Sequence, residues 1–248
     1  MSREPSGAMV DSADRSRPGE GPGERIVNPR WSRRPMSSIA SPRLNRLPLE
    51  ERGLTIGDFL VPIRVGERMG SRLRHVALVA LGTLVIVLST RFVIPIEPVP
   101  ITGQTFGVLL VSGALGLRRG MLSIALYILI GAIGFPVFAQ DRAGTAVILG
   151  ASGGYIVGFL VAGAVVGRLA ELGWDRRILG ALAAMAIGNV VIYLVGIPWL
   201  MAVTHLGLGP ALDAGLYKFL PGDALKLVLA AAAFPAAWWI VGRRAGEG

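Results

Sequence analysis

The sequence predicts an all-α polytopic membrane protein with six transmembrane helices and both termini in the cytoplasm. Three observations carry that prediction. Hydrophobic residues make up 52% of the chain and gather into runs, several of them near the ~20 residues that span a bilayer. Arginines cluster at alternate ends of those runs, which orients a membrane protein with its positive loops inside. The first fifty or so residues share neither feature.

That N-terminal stretch, residues 1–53, is rich in Arg, Ser, Pro and Gly and lacks a periodic apolar pattern, so it reads as a disordered tail. No apolar core follows its first charges within signal length, so no signal peptide is expected. Residues 54–74 form a juxtamembrane segment, in which "LTIGDFLVPIRVGER" (54–68) suits a short surface helix. The membrane domain covers 75–241, with apolar segments at 75–94, 104–117, 121–138, 152–170, 178–200 and 222–241. The second is short for an upright span of ~20 residues.

Arg68, Arg72 and Arg74 precede the first segment, and Arg118 and Arg119 separate the second from the third. Arg176 and Arg177 separate the fourth from the fifth, and Arg243 and Arg244 follow the sixth. Connections 95–103, 139–151 and 201–221 hold only Arg142 and Lys218, so these three are expected outside. Rows of small residues, Gly154, Gly158, Ala162 and Gly180, Ala184, Gly188, let membrane helices approach closely, and internal packing is their expected use.

Several function classes are excluded or disfavoured. The net charge of +9 does not point to nucleic acid. Twelve of the 25 basic residues lie in positions 1–70, mixed with nine acidic ones, and most others sit at span ends. A phosphate-binding loop requires Lys before Ser or Thr, yet Lys218 precedes Phe219 and Lys226 precedes Leu227. His75 and His205 fall on opposite expected sides and no acidic cluster accompanies them, so neither metal nor cofactor is expected. Cysteine is absent, which removes thiolate chemistry. "GASGG" at 150–154 has the letters of a nucleophile elbow, but it opens a membrane span instead of following a strand.

What remains is a set of polar groups at the outer ends of the spans. Thr102 and Gln104 begin the second, Tyr155 the fourth, and Asp223 and Lys226 the sixth. Asn189 and Tyr193 share one face of the fifth at i, i+4. Of the basic residues 23 are Arg, and the only two lysines, Lys218 and Lys226, fall in one nine-residue window. Asp223 suits the positive end of a helix dipole; Lys226, three residues on, opposes it. A buried cation costs ~2.5–3.5 kcal/mol on insertion scales, so such a residue is a functional candidate. The pair offers an acceptor and three donors, suited to a small ligand carrying amide-like groups and a carboxylate.

From about residue 54 to 241 the chain resembles the BioY family, the biotin-capturing S components of energy-coupling factor (ECF) transporters. The carrying motifs are "PVPITGQTF" (98–106), "LYILIGAIGFPVFA" (126–139), "GGYIVGF" (153–159), "GNVVIYLVGIPWL" (188–200) and "KFLPGDALK" (218–226). "GASGGY" at 150–155 departs from the Gly-Pro-Thr-Gly-Gly-Tyr common in the family. The resemblance implies a multi-pass plasma-membrane protein, not an enzyme, that binds biotin from outside as transported ligand. It also implies a transmembrane ECF coupling subunit and a cytoplasmic ATPase pair as partners. Asp223, Lys226, Tyr155, Gln104, Thr102, Asn189 and Tyr193 are the residues expected to bind it. Family members dock to the coupling subunit partly through small residues four apart on the first helix. Here Leu81 follows Ala77 and Leu84 follows Ala80, so that row is imperfect. Two rival readings are a membrane enzyme acting on a lipid or isoprenoid, and a scaffold whose polar residues only cap helices.

Overall fold

A computed structural model describes residues 55–60 and 70–245, and these are mostly helical. The expected tail at 1–53 lies outside them. Of the surface helix expected at 54–68, α1 (Ile56–Leu60) is present and residues 61–68 lie outside the described residues. Helix α2 (Ser71–Ser89) starts earlier than the apolar pattern alone indicates and stops before Pro95, Pro98 and Pro100, which cannot continue it. A small antiparallel hairpin, β1 (Val93–Ile94) with β2 (Ile101–Thr102), takes up the end of the first apolar segment, expected to run to 94, and the connection at 95–103. Its register pairs Val93 with Thr102.

The second and third apolar segments run on as one helical element, α3 (Gln104–Ala132), broken only at Gly116. Five stretches of the described residues are therefore long and apolar enough to cross a membrane, one fewer than the six apolar segments. Gly116 adopts φ 79°, ψ −178°, a conformation open to glycine and costly to other residues. The backbone reverses there. A Cβ on Gly120 would lie 2.9 Å from the Cα of Ser112, whereas eight residues of straight helix would separate them by ~12 Å. Parts 104–115 and 117–132 thus run side by side. The turn's Leu117 N–H donates to Glu171 Oε1 at 3.0 Å.

A short α4 (Thr145–Leu149) precedes α5 (Gly153–Glu171), which ends at Gly173 in the left-handed region (φ 83°), a common helix stop. Helix α6 (Ile178–Thr204) contains Pro198; membrane helices tolerate such breaks because neighbours satisfy the freed groups. A short α7 (Leu208–Leu212) and a π turn (Asp213–Tyr217) lead into α8 (Leu220–Ala245). Packing is densest between α3 and α5, α5 and α6, and α2 and α3, with α8 against α6.

The core joins these layers through Leu78, Ile86, Val108, Ile124, Phe159, Val166, Ile192 and Phe234. The small-residue rows pack internally: a Cβ on Gly154 would meet Trp199, and one on Gly188 would meet Leu109 and Val166. Without a hydrophobic drive between helices in lipid, such close approach supplies the contact energy. Buried hydroxyls add polar ties, as where Thr83 Oγ1 donates to the Ser123 carbonyl at 3.0 Å.

Candidate functional site

The β hairpin and the start of α3 place two polar side chains on one ledge. Thr102 Oγ1 accepts from the Gln104 N–H at 3.2 Å, closing the first turn of the helix. The Gln104 side chain then donates through Nε2 to the Tyr127 hydroxyl, on the returning arm of α3. Both Thr102 and Gln104 are buried.

Helix α8 reaches this ledge from the other end of the fold. Lys226 Nζ donates to the Thr102 carbonyl at 3.0 Å, to Thr105 Oγ1 at 2.8 Å and to Asp223 Oδ1 at 3.0 Å. These use all three donors of an ammonium. The second carboxylate oxygen of Asp223 accepts from the Tyr193 hydroxyl of α6. A cation in the first turns of a helix is therefore held by its own helix's carboxylate, by a carbonyl of β2 and by a hydroxyl of α3. Asp223 is not the helix cap, since its N–H already donates to the Phe219 carbonyl at 2.9 Å. Charged hydrogen bonds of this kind contribute ~1.5–3 kcal/mol each.

Aromatic rings wall the same region. Tyr155 stacks on Phe219 with centroids 6.3 Å apart, and Tyr193 meets both edge-on at 6.4 and 6.5 Å. The Tyr155 hydroxyl donates to the Gly215 carbonyl at 2.9 Å, tying α5 to the π turn before α8. Between these groups lies a cavity of about 40 Å³, lined by Thr102, Gln104 and Thr105, by Phe138, Tyr155, Phe159 and Phe219, and by Arg142. Arg142 is the one charged residue among its described lining residues. The loops that roof it are joined by ion pairs, Arg142 with Glu97 at 3.7 Å and Arg91 with Asp141.

Six of the seven residues expected from sequence thus meet in one place: Thr102, Gln104 and Tyr155 on the cavity, with Tyr193, Asp223 and Lys226 in the adjoining network. Asn189 does not line it. One helical turn from Tyr193, ~6 Å along the axis, Asn189 faces a smaller crevice of about 10 Å³ that it lines with Phe106, Leu109, Met185 and Lys226. Sequence reasoning missed Thr105, Tyr127, Phe138, Phe219 and Arg142. Phe219 lies inside a motif already singled out, and Arg142 is the only arginine in the three loops expected outside.

Comparison with known proteins gives this geometry a family. The BioY family profile matches residues 64–243. The chain belongs to the BioY family. A curated relative, "Biotin transporter BioY" of Thermotoga maritima, is 36% identical over 159 residues, covering 64% of this chain and 92% of the relative. Its namesake in Rhizobium etli is 38% identical over 141 residues, covering 54% and 75%. Among solved structures, the S-component for biotin from an ECF-type ABC transporter superposes with a TM-score of 0.62 at 29% identity, covering 68% of this chain and 93% of that one. As a BioY protein with five long apolar stretches, the chain is a multi-pass protein of the cell membrane.

Proposed function

We propose that this chain takes up biotin, capturing it from outside in the cavity beneath the hairpin and the 133–151 loop. The supporting observation is a donor–acceptor ledge and an aromatic wall meeting around a single lining cation. Biotin presents a ureido carbonyl, two ureido N–H groups, an apolar ring system and a carboxylate. Thr102 and Gln104 offer both donors and acceptors for the ureido group, the aromatic side chains suit the rings, and Arg142 suits the carboxylate bidentately. With all three donors engaged, Lys226 acts by holding the ledge at Thr102 and Thr105, and Asp223 by holding Lys226. Asn189 lines one small crevice with Lys226.

Ligand pockets usually run to ~300–1,000 Å³, so the 40 Å³ cavity must widen on capture. The ion pairs between the two roofing loops are the contacts that part. The reversal at Gly116 makes α3 two crossings, giving six spans with both termini cytoplasmic. Import then depends on an ECF coupling subunit and a pair of cytoplasmic ATPases, since neither lysine stands in a nucleotide-binding loop. The rival lipid-modifying enzyme would need a free acid or base here, and both oxygens of Asp223 are engaged.

Equilibrium binding of labelled biotin to the purified full chain tests this directly. Arg142→Ala should weaken biotin at least tenfold while leaving biotin methyl ester, which lacks the carboxylate charge, nearly unaffected. Equal losses for both ligands would remove Arg142 from the carboxylate, and no saturable biotin binding by the wild type would overturn the proposal.

A further inference from the structure

A second, wider concavity shares no lining residue with the proposed biotin cavity. It is a groove of about 930 Å³ between α2 and the returning arm of α3, near the top of the ~300–1,000 Å³ range of ligand pockets. Its walls are of two kinds. Val76, Val79 and Ala80 face Leu122, Leu126 and Leu129 along most of its length, while His75, Arg118 and Arg119 close one end.

The charges at that end do not cancel. Asp58 is paired with Arg119 at 2.8 Å and with Arg74 at 3.9 Å, and Arg119 Nε also donates to His75 Nδ1 at 2.9 Å. Glu171 is engaged by Arg168 at 3.0 Å and by the Leu117 N–H. Against these two carboxylates stand Arg74, Arg118, Arg119 and Arg168, and Arg118 is exposed at the rim. Among the described residues the mouth is positive, and its carboxylates are already occupied.

Length supplies a second argument. Arg119 and Leu129 stand ten residues apart on one helix, a rise of ~15 Å, which is half of the ~30 Å hydrocarbon core. A cationic mouth leading into an apolar channel one leaflet deep matches a molecule with an anionic head and an acyl tail. We infer that the groove between α2 and the 117–132 arm binds one anionic phospholipid, its phosphate at Arg118, Arg119 and His75 and an acyl chain along Val79, Leu122, Leu126 and Leu129. Basic pockets between membrane helices recognise lipid headgroups in this way.

Native mass spectrometry of the full chain in detergent, with phosphatidylglycerol or phosphatidylcholine added in equal amounts, tests the inference. The expected result is one retained phosphatidylglycerol per chain, at least fivefold over phosphatidylcholine. Arg118→Gln should reduce that preference threefold or more, and Ala125→Trp, which fills the apolar channel, should remove both adducts. Biotin affinity in detergent should stay within twofold of wild type in each variant, so a failed lipid result is separable from a failed biotin site. Equal retention of the two lipids, or retention unchanged by both substitutions, overturns the inference. It is overturned equally if the variants keep the lipid but lose co-purification with a coupling subunit, which would make the groove a protein-docking face.

Discussion

Two buried aspartates at opposite ends of α8 make an instructive pair. Asp223, near its start, and Asp175, which meets Trp238 near its end, are each only 3% exposed. Asp223 has a partner on each oxygen, Lys226 on one and Tyr193 on the other. Asp175 has a donor on one oxygen, Trp238 Nε1 at 2.6 Å, while its other oxygen is buried without a partner. A fully satisfied carboxylate fixes a charge in place and with it the groups it holds. A half-satisfied one sits where binding a proton relieves it. Burial accordingly pushes Asp175 up to about 6, against the partly offsetting Trp238 hydrogen bond and the charge of Arg176.

The sharpest way to break the comparison is to empty one side of the satisfied network. Lys226→Met leaves Asp223 buried without its cation, an arrangement that costs ~3–5 kcal/mol, and should be read as a large fall in Tm together with loss of biotin binding. The gentler Lys226→Arg and Asp223→Asn should insert and purify normally yet weaken biotin at least tenfold, about 1.4 kcal/mol. Wild-type affinity in both would reduce the network to an anchor for the helix.

Tyr193→Phe turns Asp223 into a copy of Asp175, with one oxygen unfilled. The loss of a charged hydrogen bond should lower stability by ~1.5–3 kcal/mol, measured by thermal denaturation in detergent. An unchanged Tm would mean that water replaces the phenol without cost.

At Asp175 the prediction is one of pH. Its folded-state pKa of about 6 stands above the ordinary 3.8, so the native protein binds the proton more tightly than the unfolded chain. Stability is therefore gained on acidification and lost as pH rises through about 6. Relative to Asp175→Asn, the wild type should gain roughly 1–2 kcal/mol between pH 7.5 and 5. A difference in Tm that stays constant with pH would show that Asp175 holds no proton there. The smallest effect belongs to the N-terminal stretch: deleting residues 2–53 should leave biotin affinity unchanged, and a tenfold loss would tie that stretch to the site.

The satisfied end was largely legible in the sequence. Asp223 and Lys226 are three apart on a helix, and an intramembrane cation demands a counter-charge, so their pairing followed from spacing. The meeting of Lys226 with Thr102 and Thr105 spans more than 120 positions, and no local pattern encodes such a contact; only Thr102 drew notice, because it is polar at a span end. Asn189 shares a face with Tyr193, but periodicity gives a face and not a depth, and the cavity does not extend that far down. Nothing in the sequence singles out Asp175, since its burial against Trp238 is a tertiary event. A turn between the second and third segments was expected at Arg118 and Arg119, but not its position at Gly116, because one glycine among Gly113, Gly116 and Gly120 reads as packing until its φ is seen.

That reversal carries a consequence for how the protein is made. The 104–115 arm is twelve residues, ~18 Å of helix, too few to be recognised as a span by hydrophobicity alone. On the six-span topology proposed above, it enters the bilayer together with 117–132, as a hairpin, after both have left the ribosome. The Leu117 N–H at its tip finds its acceptor only in Glu171, 54 residues later in synthesis. Until that helix arrives the amide has to be hydrated, because an unpaired backbone group in hydrocarbon costs several kcal/mol. The tip therefore waits at the water-facing border of the membrane, beside Arg118 and Arg119, and the order of translation becomes part of the folding pathway.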